Sequence, residues 1–316
     1  MMHDSGVEDI QVSPPPAKRQ RKSQRKIPKP SSEQPPFWFY DGDIIIGVEG
    51  QSWKIHRSKL MCSVVFADML ELPQPSDVES MHGCPLVTLS QDSAKDWLVV
   101  LRWLYERDKF DSQTVVFDTI AGALRISNKY DITDLHQWST CQLLLRWPQD
   151  LTKMTYTAFP HAAEAICLAR ECDVPEILPA AFYALSIVRW SRRAEGGLSH
   201  LQLSPADLRC FIVGREELQD HLHSILSGVD ERTGGHTVLC DDCENATLTW
   251  LSSRLQADAS SPYGTWLLRD LQDIAVSGYS RLIFAHYLCE MAFCLRIKEF
   301  INHLQEVIPR YFMLRT

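Results

Sequence analysis

Two short motifs near the C-terminus carry residue types that coordinate metals. Cys240-Asp241-Asp242-Cys243 has the C-x2-C spacing that lets two thiolates reach one tetrahedral ion. His286 and Cys289 are three apart and share a face if that stretch is helical, whereas Cys289 and Cys294, five apart, point about 140° away from each other on a helix. The later cysteines have an alternative as buried thiols in an apolar helix, with His286 a polar spectator. Catalytic chemistry finds no comparable footing. GxGxxG, GxxxxGK[ST], GxSxG and HExxH are all missing, and His221-x-His223 lacks a supporting nucleophile pattern, so the chain is read as a non-enzyme.

The elements that must position these residues follow from periodicity. Asp43-Ile44-Ile45-Ile46-Gly47-Val48 is short and β-branched, a strand, and Glu49-Gly50-Gln51 turns it into a second strand in which Trp53 and Ile55 alternate with polar neighbours. Leu60, Met61, Val64, Val65 and Met69 recur at three and four residues, predicting one helix from about Arg57 to Leu70 with an apolar face, stopped by Pro73 and Pro75. A strand is expected at 85–89. Ser93, with Asp96 three residues on, then caps a helix carrying Trp97, Leu101 and Leu104, and further helices are expected at roughly 112–128 and 133–145. Residues 151–316 are almost free of strand signals. A helical hairpin turns at Val174-Pro175, a capping box opens at Ser204-Pro205-Ala206-Asp207, and GVDERTGGH reads as a linker.

Composition bounds the rest. The chain has 316 residues, 45% hydrophobic and 23% charged, with a formal net charge of −8, and no apolar run approaches the length of a membrane helix. The start MMHDSGVEDI lacks the apolar core of a secretion signal, so the expectation is a soluble intracellular protein whose ten cysteines are thiols or metal ligands rather than disulfides. The charge is divided. Residues 1–36 hold seven Lys/Arg against four acids, a balance of +3 that leaves −11 for the remainder, and they also hold seven of the seventeen prolines. With so few large aliphatics this segment cannot offset its ordering entropy and is read as a disordered tail. Its block KRQRKSQRK, with Lys18, Arg19, Arg21, Lys22, Arg25 and Lys26, has the character of a nuclear localisation signal; a merely solvated basic tail is the alternative. The acidic body makes nucleic acid an unexpected partner.

From Phe37 to about residue 150 the chain resembles the BTB/POZ domain. The matching positions are Asp43, Trp53, Ile55, His56, Arg57, Leu60, Ser63, Phe66, Met69, Leu70, Leu104, Tyr105, Lys129, Tyr130, Leu135 and Cys141, in three blocks at plausible spacing. The resemblance implies an α+β fold, a short sheet flanked by helices over 37–150, followed by an all-α region over 151–316. It also implies protein association as the activity, through self-pairing and, in many members, presentation of a bound protein to a cullin ubiquitin ligase. Asp43, His56 and Arg57 are thereby expected at a dimer interface, with Asp43 and Arg57 a charged pair in a cleft. The alternatives are an intramolecular pair that fixes the local fold, and a histidine that is a satisfied structural donor. The loop QPSDVESMHGCP places Val78 directly before Glu79, not at the hydrophobic-x-Glu spacing often found in cullin-binding members.

LARECDVPEILPAAFYALS and EFINHLQEVIPRYFML are similar to segments of fungal, mushroom-type BTB proteins with helical C-terminal halves. Those relatives often carry two cysteine pairs in this half, and His286 and Cys289 lie at about the distance before Pro309 where the second pair is found. The resemblance therefore points to Cys240, Cys243, His286 and Cys289 as one closed structural zinc site. The expected protein is a homodimeric BTB scaffold of the nucleus or cytoplasm, acting as a transcriptional co-regulator with an unidentified protein partner. A substrate adaptor of a cullin-type ligase is the alternative.

Overall fold

Three consecutive isoleucines set the centre of the first half. Strand β1, Ile44–Val48, is buried along its whole length, as a strand covered on both faces must be. The computed structural model describes residues 36–73, 79–112, 115–187, 202–226, 239–246, 249 and 286–314; the basic block at 18–26, Val78 and the 228–236 linker lie outside them. A two-residue turn leads into β2, Gln51–Ile55, with Val48 opposite Gln51. Both turn residues take positive φ, Glu49 at 49° and Gly50 at 80°, the twist that joins antiparallel strands without splaying them. On its other side β1 runs parallel to β4, Cys84–Leu89, and the two-residue β3, Ser80–Met81, completes a four-stranded sheet of order β2-β1-β4-β3.

The single helix expected over 57–70 is two. Helix α1, Arg57–Leu60, ends before Ser63, whose extended backbone and side chain cap a new helix, α2, Val64–Glu71, by accepting the Phe66 N–H. The same hydroxyl donates to the Tyr130 carbonyl, so the break is held from a distant part of the chain. Its apolar face also differs from expectation. Leu60 and Phe66 face the core, while Met61, Val64 and Val65 are 46%, 51% and 42% exposed.

Helix α3, Ala94–Tyr105, starts on the anticipated Ser93 cap, and the Glu49 carboxylate takes the Ala94 N–H besides. After the short α4, Arg107–Ser112, come α5, Phe117–Tyr130, and α6, Thr133–Arg146. Helix α5 begins at Phe117, later than the 112 read from periodicity, because 107–112 forms the separate α4.

Helix α5 serves two cores. Ala123, Ile126 and Tyr130 join the sheet, α2 and α3 in one cluster, while Phe117, Ile120, Ala121 and Leu124 turn the other way into a second. That second core gathers Leu143 and Trp147 with α7, Ala162–Glu171, and α8, Leu178–Ile187. It continues through α9, Pro205–Leu226, and the long terminal α10, Tyr287–Tyr311. The Ser204 hydroxyl accepts the Asp207 N–H at 3.1 Å, as an N-cap side chain does, and donates to the Asp207 carboxylate at 2.8 Å in place of the backbone bond of a full capping box. Arg170 then pairs with Asp207 at 3.1 Å, tying α7 to α9.

Candidate metal centre

Both metal-binding motifs fall at helix starts. Cys240 precedes a short helix at 241–246, closed by the Glu244 N–H donating to the Cys240 carbonyl at 3.0 Å. Cys243 lies in its first turn and is buried beside Leu239, at 2% and 3% exposure. His286 is the N-cap residue of α10, with extended backbone, and Cys289 sits in that helix's first turn. The i, i+3 spacing in each motif aims both donors across one turn in a single direction.

The two starts face each other. The donor atoms of Cys240, Cys243, His286 and Cys289 all lie within 4.8 Å of one another. His286 Nδ1 is 3.4 Å from Cys240 Sγ and 3.7 Å from Cys243 Sγ, and Cys289 Sγ is 3.7 Å from Cys240 Sγ. A tetrahedron with metal–sulfur bonds of about 2.3 Å and a metal–nitrogen bond of about 2.0 Å has sulfur–sulfur edges of about 3.8 Å and sulfur–nitrogen edges of about 3.5 Å. The four side chains are thus spaced as ligands of one ion. Three sulfurs and one nitrogen fill four positions, leaving none for a substrate. Cys294, set aside on helical geometry, is not in the group.

The other expected residues are distributed differently. Asp43 and Arg57 do meet, but through the Arg57 backbone N–H, which donates to the Asp43 carboxylate at 2.7 Å and anchors the start of α1. His56 is held on both ring nitrogens, with Nδ1 2.9 Å from the Tyr105 hydroxyl and Nε2 3.2 Å from Asp41. The Tyr105 hydroxyl also accepts the His56 backbone N–H at 3.0 Å, and the ring of Phe39 stacks on Tyr105. A neutral imidazole with its proton on Nε2 satisfies every one of these contacts. Hydrogen bonding within its own backbone, then from His56, holds Asp41 below the usual carboxylate range. Cys141, one of the BTB-matching positions, is exposed.

Sequence reasoning missed the residue that joins the blocks. Asp92, 6% exposed, receives hydrogen bonds from Lys129, Tyr130 and Trp97. Beside it, at the seam between the two cores, a charged cleft of about 180 Å³ is lined by Asp92, Asp96, Arg125, Lys129, Glu171 and Cys172, among others. Arg125 spans this seam, 3.0 Å from Glu171 and 3.8 Å from Asp96. Burial, reinforced by Glu171, pushes the Cys172 thiol up to about 12, which keeps it protonated and unreactive.

Compared with known proteins, the chain matches no family model and no curated protein. Among the described residues, no helix is long and apolar enough to cross a membrane.

Proposed function

We propose that this chain is a protein-association module of the BTB/POZ type, a homodimeric scaffold whose helical half is secured by a structural zinc ion. The element order supports the fold assignment: a strand hairpin, a broken helical pair, a returning strand parallel to the first, then helices. One observation carries the dimer. Met61, Val64, Val65 and Leu72 are 46%, 51%, 42% and 63% exposed on α2 and the residues that flank it, four large apolar side chains within a dozen positions. Neighbouring apolar residues facing water mark an association surface. A second copy is the simplest occupant, because a two-fold interface needs one patch that meets itself.

The basic block Lys18, Arg19, Arg21, Lys22, Arg25 and Lys26 supports action in the nucleus, and the role we propose there for a dimer that recruits a protein partner is transcriptional co-regulation. The cullin-adaptor reading has no observation in its favour; the loop on which it turns includes 74–78, outside the described residues. Light scattering of the intact protein tests the scaffold reading. A mass about twice the 36.2 kDa of one chain is expected, and a monomer at micromolar concentration would refute it.

A further inference from the structure

We propose that Cys240 is a peroxide-reactive modification site and that Cys289 resolves it as a disulfide. This deepens the metal reading of the same four residues. Access separates the three thiols: Cys240 is exposed, whereas Cys243 and Cys289 are 2% and 8% exposed. An oxidant from solvent therefore meets Cys240 first. On α10, 49 positions away in the chain, Cys289 Sγ lies 3.7 Å from Cys240 Sγ. A disulfide bond is about 2.05 Å long, so closure needs a sulfur movement of less than about 2 Å.

The chemistry balances with hydrogen peroxide as the oxidant. The Cys240 thiolate attacks one peroxide oxygen, the O–O bond breaks, and Cys240 sulfenic acid and hydroxide form. The Cys289 thiolate then attacks the Cys240 sulfur, the S–O bond breaks, and a second hydroxide leaves. Two thiolates lose two electrons in total, and peroxide gains them. Only Cys243 and His286 remain as donors, too few to retain a tetrahedral ion. The connection between the 240 region and α10 persists, now covalent, so oxidation exchanges a metal tie for a disulfide tie without releasing the helix.

The test uses the full chain, reduced, freed of reductant and assayed for zinc before hydrogen peroxide is added in small excess. Brief exposure with dimedone present is expected to label Cys240. Longer exposure without it is expected to give a Cys240–Cys289 cross-linked peptide, lighter by two hydrogens, as a metal-sensitive dye takes up one equivalent of zinc. First labelling at Cys243, a Cys240–Cys243 disulfide, or unchanged thiols with zinc retained would each overturn the inference. A chain without zinc at the outset refutes the metal reading alone. The same peptide map then still decides the disulfide, which depends on the 3.7 Å spacing.

Discussion

The ring of Phe312 lies directly on Gly214: a Cβ at Gly214 would stand 2.1 Å from Phe312 Cδ1 and 2.3 Å from Cε1. Phe312 is fully buried and stacks on Phe182 with ring centroids 5.2 Å apart. A glycine inside a helix costs about 1 kcal/mol relative to alanine. Here it opens the surface of α9 so that one ring, at the end of α10, can reach α8 as well.

Gly214→Ala is therefore expected to destabilise by about 1–3 kcal/mol through overpacking, despite alanine's better helix propensity. Phe312→Ala should cost about 3–5 kcal/mol by leaving a cavity. Thermal melts followed by circular dichroism check both. Gly214→Ala combined with Phe312→Leu should lose less than the two single changes together, since the smaller side chain relieves the clash. A higher melting temperature for Gly214→Ala alone would show that propensity outweighs the ring contact.

Asp92 gives a pH signature. Burial works to raise its pKa, but hydrogen bonds from Lys129, Tyr130 and Trp97 outweigh it and hold the carboxyl below its ordinary value. A depressed folded pKa contributes stability that is fully present above the unfolded value, about 3.9, and is lost as pH falls through the folded value. Asp92→Asn should cost about 2 kcal/mol at neutral pH. It should also lose less further stability than the parent chain on acidification below about pH 4. Urea midpoints at pH 7 and in that acid range measure both, and parallel acid losses in the two proteins would remove Asp92 from the account.

Local signals located the elements, and long-range ones did not. The Ile44-Ile45-Ile46 run, the Ser93 cap and the Ser204 cap are set by neighbours within four residues and stand where periodicity and capping chemistry place them. The break at Ser63 was hidden because its reason is the Tyr130 carbonyl, 67 positions away, and Asp92 went unnoticed because its partners Lys129 and Tyr130 are 37 and 38 positions away. Polar contacts at such separation leave no period in the sequence. The metal group was legible for the opposite reason: each half is a three-residue spacing, and only their meeting required the fold.

The exposed apolar residues on and beside α2 make a further prediction. Val64→Asp with Val65→Asp places two charges where a self-pairing surface would be desolvated, and the mass by light scattering should fall to that of one chain. Both side chains are more than 40% exposed within a chain, so the melting temperature measured at high dilution should change little. A dimer that survives both substitutions would place the association surface elsewhere.

Removing the metal should loosen one end of α10 and leave the other in place. Near its start Tyr287, Leu288, Met291 and Leu295 are 45–77% exposed, so few core contacts hold it apart from Cys289, Ala292 and Phe293. Beyond Ile297 the helix is fixed by Ile301, Leu304, Ile308 and Phe312, none more than 4% exposed. A structural ion supplies folding free energy only to the segments it joins. Chelation, or Cys243→Ser, is therefore expected to speed amide hydrogen exchange in 239–246 and in the first two turns of α10. Amides of β1 and of the helix after Ile301 should stay protected. Cobalt added to the metal-free protein should give the absorption of a tetrahedral, sulfur-rich site and restore the protection. Exchange that is the same with and without metal would mean that packing alone holds these segments together.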